Sequence, residues 1–140
     1  MVIKTIKSCN LVKAVTVDEN ASVVEVAKKL SEFQERRVFV VNKKYFPIGI
    51  ISLVDINDRV VARGKDIKKT KARDVMSYPI HLVFDINTNA EEVLKRMIMK
   101  DNYYVPVVEK GKLKGLLTYS GLTRVLNKRN GKKSRSNKRR

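Results

Sequence analysis

The chain repeats itself, and this constrains its fold more than any other feature. Displacing the sequence by 67 residues lays "VTVDENASVVEVAKKL" over "LVFDINTNAEEVLKRM", and "VFVV" (38–41) over "VPVV" (105–108). Asp18 then meets Asp85, Asn20 meets Asn87, Glu25 meets Glu92, Val26 meets Val93 and Lys28 meets Lys95. One residue is lost in the next turn, so Gly49 falls on Gly115 at a displacement of 66. Eight identities over residues 15–41 are a weak signal alone. The duplication rests on agreement in the type and order of elements as well.

Each copy predicts the order β-α-β-β-α. A short β-rich stretch (Lys13–Val17; Ile80–Phe84) leads to a helix start, where "SVVE" and "NAEE" place Ser22 and Asn89 three residues before Glu25 and Glu92. The helical spacing gathers Val23, Val26, Ala27, Leu30 and Phe33 on one face, and Ala90, Val93, Leu94, Met97 and Ile98 on the other copy's. A β-branched strand, a polar turn and a second strand opening at the shared glycine follow. Closing helices are expected from about Val54 to Ala62, ended by Gly64, and from about Ser120 to Leu126. One such unit exposes an apolar sheet face, so two packed together make the smallest stable body. At 140 residues the chain is too short for two ordinary independent domains. The expected divisions are an N-terminal segment 1–7, repeats at 8–64 and 72–126, a basic linker 65–71 and a disordered basic tail 127–140.

Charge adds a second theme. Lys and Arg total 31 against 14 acidic residues, a formal +17. The last 14 residues, "NKRNGKKSRSNKRR", hold eight Lys or Arg and no acid, and "RGKDIKKTKAR" (63–73) holds six against Asp66. Such surfaces attract polyanions. The single Cys9 has no internal partner for a disulfide, which fits a reducing cytoplasm. Apolar runs are strand-sized, so no membrane span is expected.

With "DVMS" opening the second copy, "VPVVEKGKLKGLLT" within it and "VFVVNKKYFPIGIISLVDI" in the first, the sequence resembles a tandem pair of CBS (cystathionine-β-synthase-type) domains. The resemblance spans residues 8–126, about 85% of the chain. The first copy departs from the pattern by opening with "SCNLVKAV" and by carrying Phe39 where the second has Pro106. The resemblance implies an α/β protein of the α+β type, two β-α-β-β-α repeats packed as a pseudo-twofold pair that dimerises into a disk. It also implies a cytoplasmic regulatory module, not an enzyme. Such a module binds AMP, ADP, ATP or S-adenosylmethionine between its copies and signals to another, regulated protein.

The same resemblance assigns the ribose hydroxyls to Asp55, with Ile50 and Ser52 beside it in "GIISLVDI". It assigns adenine contacts to Pro79, His81, Leu82, Asn102 and Tyr103. A vicinal diol suits an ionised carboxylate, which accepts charge-assisted bonds of roughly 1.5–3 kcal/mol each. A second, weaker site would use Val12, Ala14, Val15, Arg36, Arg37 and Thr118, because Gly121 stands where Asp55 stood. Taken alone, however, "SLVD" is more ordinary as a helix cap. His81 fits a wall or surface group, Cys9 a packing thiol, and Arg36 and Arg37 solvated helix-end charges. Met76, Met97 and Met99 fit core or dimer filler. No Cys/His zinc cluster, phosphate loop or triad can be assembled, so no catalytic residue, metal or cofactor is assigned. The alternative is a nucleic-acid-binding or tethering protein acting through residues 127–140, by phosphate contacts without sequence preference.

Overall fold

The computed structural model of the chain describes residues 4–128; of the tail expected at 127–140, Asn127 and Lys128 close the last helix and the remainder lies outside the described residues. The chain divides into two compact units. The first-repeat unit comprises Ala14–His81 with Gly111–Leu113. Strands β1 (Thr16–Asp18), β2 (Arg37–Val41) and β3 (Pro47–Ser52) form its sheet in that order. β1 and β2 are parallel, β2 and β3 antiparallel. Helix α1 (Val23–Glu32) joins β1 to β2, as a parallel crossover requires. Helix α2 (Leu53–Ile56) follows β3 directly and continues as a π-helical turn, Asn57–Val61. Gly64, at φ +62°, stops this element as expected. Helix α3 (Ala72–Val75) ends the series.

The second-repeat unit holds residues up to Lys13, Leu82–Lys110 and those from Lys114 onward. It repeats the plan with β4 (Phe84–Asp85), α4 (Ala90–Lys100), β5 (Tyr104–Glu109), β6 (Lys112–Thr118) and α5 (Tyr119–Lys128), the strands in the order β4-β5-β6. An α+β architecture of two three-stranded sheets is therefore what the duplicated sequence builds.

The opening strands are shorter and lie later than expected. Asp18 and Asp85 each turn the chain, their Oδ2 atoms accepting from the amides of Asn20 and Asn87 at 2.9 Å in both cases. The repeated Asp-x-Asn thus encodes one turn twice. Both helices begin on the caps the sequence suggests. Ser22 Oγ accepts from Glu25 N (3.2 Å), and Asn89 Oδ1 from Glu91 N (2.8 Å) and Glu92 N (3.0 Å).

Val17, Val23, Val26, Leu30, Val38 and Ile51 form the core of one unit; Leu82, Phe84, Val93, Met97, Leu117 and Leu122 belong to that of the other. Each fully buried aliphatic or aromatic contributes roughly 1.5–3 kcal/mol. The helical faces were drawn too wide: Phe33 is 52% and Ile98 53% exposed, and Ala27 is exposed while Leu94 is only partly buried. Phe33 is the C-cap of its helix, and Ile98 directly follows the buried Met97, on the side of the helix turned away from the core. Of the three methionines read as filler, Met97 is buried, Met76 packs against the core of its unit and Met99 stands exposed.

The shared glycines have a common reason. A Cβ on Gly115 would lie 2.9 Å from both Leu11 Cβ and the Val12 carbonyl oxygen; one on Gly49 would strike the Met76 sulfur and sit 3.0 Å from the Ser77 carbonyl oxygen. At each place an extended segment runs against the glycine and pairs with the next residue. Val12 and Leu116 exchange two backbone hydrogen bonds of 2.8 Å, and Ser77 and Ile50 exchange bonds of 2.9 and 3.0 Å. The opening of the first repeat therefore pairs with the edge of the second repeat's sheet, and the opening of the second repeat with the edge of the first's.

Candidate functional site

The corner between β3 and α2 carries "SLVD". Ser52 leaves the strand in an extended conformation (φ −108°, ψ 172°), which points its hydroxyl at the first turn of the helix. Ser52 Oγ accepts from Asp55 N (3.2 Å), and Asp55 Oδ2 accepts from Ser52 N (2.8 Å). The pair closes a capping box. The cap reading of this motif is thus part of the structure. It does not exhaust the carboxylate, which has about four acceptor positions. Oδ1 has Arg59 Nε at 3.7 Å, an ion pair beyond hydrogen-bond length. Arg59 is held there by donating from its guanidinium to the Val75 carbonyl oxygen at 2.8 Å. The Asp55 side chain is 15% exposed, so one edge of it meets solvent.

Other predicted residues belong to the same unit. Ile50 is half-buried and bonded to Ser77, which brings the segment leading to Pro79 and His81 alongside; both of these are exposed, and the Tyr78–Pro79 bond is cis. Arg37, placed by the sequence in the second site, stands directly across the ladder from Ser52. The Arg36 carbonyl oxygen accepts from Leu53 N at 3.0 Å, satisfying one of the orphan amides of the helix start. Both arginine side chains are exposed. Ala14 and Val15 are half-buried in the same unit, Val15 against its core and accepting from Phe39 N.

Leu82, Asn102 and Tyr103 belong to the second-repeat unit. Leu82 is 1% exposed and belongs to that unit's core, so neither its side chain nor its main chain is open to solvent there. Tyr103 packs edge-on against Tyr119, ring centres 5.3 Å apart, and a hydrogen bond with Asp101 followed by partial burial raises the pKa of its phenol. Its carbonyl oxygen accepts from Tyr119 N at 3.0 Å, repeating the Arg36–Leu53 bond one copy earlier. The displacement that aligns the repeats pairs these residues, so the equivalence was present in the sequence though it was not drawn from it. Asn102 is half-buried, its amide bonded to Met97 O. Thr118 Oγ1 accepts from Gly121 N (3.0 Å), keeping the forward half of the box, and Val12 lies exposed at the sheet edge. Cys9 is buried in this unit's core; burial pushes its thiol pKa up, with Lys4 acting weakly the other way, as befits a packing thiol.

Among the described residues no group of three or more His, Cys, Asp or Glu side chains gathers to hold a metal ion, and no helix is long and apolar enough to cross a membrane.

Comparison with known proteins bears on the whole frame. A family model for the CBS domain matches twice, over residues 6–62 and 72–128. An uncharacterized protein of Methanopyrus kandleri is 34% identical over 112 residues, which cover 79% of this chain and 57% of that one. A CBS domain-containing protein of Arabidopsis thaliana is 30% identical over 81% of this chain and 21% of its own length. The chain thus spans little more than half of one relative and a fifth of the other. The crystal structure of a CBS domain pair/ACT domain protein from Thermotoga maritima superposes with a TM-score of 0.68 at 19% identity, covering 90% of this chain and 98% of that one. That likeness is one of fold.

Proposed function

The chain belongs to the CBS-domain family, and on that premise we propose that it is a regulatory module taking an adenosyl ligand at the Ser52–Asp55 corner. CBS pairs are generally regulatory and often bind adenosyl compounds. The observation that supports the reading here is the half-used carboxylate of Asp55. One oxygen is committed to the Ser52 amide, and the other lies 3.7 Å from a guanidinium without a hydrogen bond to it. A ribose diol would find there an ionised acceptor already held in place by the cap. Pro79 and His81, exposed in the same unit as that corner, are assigned the adenine, and the exposed Arg36 and Arg37 suit its phosphates. AMP, ADP, ATP and S-adenosylmethionine are the candidates. The module works as a homodimer in the cytoplasm, and ligand alters its shape toward a separate, regulated protein.

Calorimetric titration of the four compounds, with the native chain and with Asp55→Asn, tests this. The Asn side chain keeps an oxygen for the Ser52 amide but loses the charge. One of the four should bind, and Asp55→Asn should weaken it at least about tenfold, or about 1.4 kcal/mol. No heat from any compound at millimolar concentration, or equal binding by the variant, would end the proposal.

A further inference from the structure

The segment between the repeats, "RGKDIKKTKAR", has no part in the corner just described. It begins where Gly64 N bonds to Val61 O and Lys65 N to Val60 O. It ends in a second clamp, where Val23 N bonds to Thr70 O, Ala72 N to Ala21 O and Arg73 N to Glu19 O. Between the clamps Asp66 organises the chain from within. Its Oδ1 accepts from Lys68 N (2.9 Å) and Lys69 N (3.2 Å), while its carbonyl accepts from Thr70 N (2.9 Å). The only acid of the linker is therefore turned onto backbone amides. Arg63, Lys65, Lys68 and Lys69 are all exposed, and among the described residues none of them forms an ion pair; the pairs found are Arg59–Asp55 and Lys114–Glu109.

We propose that this clamped basic loop is a binding surface for the phosphate backbone of nucleic acid, carried by the folded body and distinct from the C-terminal tail. Four unpaired cations on a segment fixed at both ends need little further ordering when they meet a polyanion, so less of the attraction is offset by lost conformational freedom. The loop carries no aromatic residue, which removes base stacking and favours a duplex, whose charge density along its axis is higher. Insertion into a lipid surface is disfavoured by the same composition. Ile67, the one large apolar residue between Arg63 and Lys69, is 47% exposed and borders an apolar groove lined by Val23 and Val60, and a single such side chain offers a membrane little apolar area.

The test is anisotropy of a labelled duplex of roughly 20 base pairs, with salt varied from about 50 to about 200 mM. Three full-length chains would be compared. In the first, the tail's eight Lys and Arg are changed to Gln. The second adds Arg63→Gln, Lys65→Gln, Lys68→Gln and Lys69→Gln. The third keeps the neutral tail but carries Lys65→Arg, Lys68→Arg and Lys69→Arg. The neutral-tail chain should still bind. The linker glutamines should then lower affinity at least about thirtyfold and reduce the slope of log K against log salt by about 3.6, since each of the four phosphate contacts on a duplex contributes roughly 0.9. The arginine chain should bind like its parent, and all should melt at the same temperature. Loss of binding on neutralising the tail alone, or binding indifferent to the linker glutamines, overturns the proposal. So does binding to phosphatidylserine vesicles without binding to the duplex.

Discussion

In the first repeat the corner between sheet and closing helix carries Ser52 and Asp55, and in the second the same corner carries Thr118 and Gly121. Around it almost everything else matches. Both glycines admit an edge segment, both edge segments pair in the same manner, and both helix starts are satisfied by a carbonyl from the residue before the central strand or at its edge, Arg36 or Tyr103. The Asp-x-Asn turns agree, with the carboxylate 2.9 Å from the amide in each. The frame is therefore conserved between copies by backbone geometry, which side-chain changes at one corner leave untouched. What differs is a carboxylate and the depth at which the closing helix sits. Leu122 is wholly buried, whereas Ile56 at the equivalent place is half-buried and lines an apolar groove of about 390 Å3 with Val24, Ala27, Val61 and Ile67.

The difference in depth should be the easiest to measure. Leu122→Ala removes a side chain from a closed core and should cost about 3 kcal/mol in a urea titration. Ile56→Ala removes one that already borders open space and should cost about 1 kcal/mol. Equal losses would show that the groove is filled in solution, and would make the two closing helices alike after all.

A smaller contrast is expected at the glycines. Gly115→Ala puts a methyl 2.9 Å from a backbone carbonyl and from Leu11 Cβ, neither of which can swing aside. At Gly49 the worst clash is with the flexible Met76 side chain, and the nearest backbone atom is 3.0 Å away. Overpacking of this kind costs roughly 1–3 kcal/mol, so Gly115→Ala should fall near about 3 and Gly49→Ala near about 1. Thermal melting of the two variants side by side gives the order. A reversal would mean that the edge segment on the second sheet yields more readily than the one on the first.

These particulars also show what was legible in the sequence. The duplication, the element order, the Ser22 and Asn89 caps and the stop at Gly64 could all be read, because each depends on local chemistry or on spacing. Periodicity drew Ala27, Phe33 and Ile98 onto buried faces because a helical period marks an apolar stripe without saying how wide a strip of it is covered: Ala27 and Ile98 directly follow the buried Val26 and Met97. The pairing of Val12 with Leu116 and of Ser77 with Ile50 had no signal at all, since strand partners remote in sequence leave no spacing to read. The corner was legible as a motif, but its use was not. "SLVD" spells a cap and a ligand carboxylate with the same letters, and only the geometry shows that the cap occupies one oxygen of Asp55 and that, among the described residues, none donates a hydrogen bond to the other.

The smallest effect on stability is expected where the functional contrast is greatest. Ser52→Ala should cost about 1 kcal/mol, the usual worth of an N-cap, and Thr118→Ala somewhat less, since its box is half open. Gly121→Asp would supply the missing arm. The new Cβ would lie 3.1 Å from Thr118 Oγ1 and 3.5 Å from the Asn10 carbonyl oxygen, tight enough to require a shift of a few tenths of an ångström. Against that stand the better helix propensity of Asp over Gly and a new acceptor for the Thr118 amide. The sum should leave the melting temperature almost unchanged. If the carboxylate is what distinguishes the two corners, the variant should take up a second equivalent of whichever adenosyl compound the native chain binds. An intact variant that still binds one equivalent would locate the asymmetry elsewhere, in the walls that Phe39 and Pro106 or the two different opening segments give each repeat.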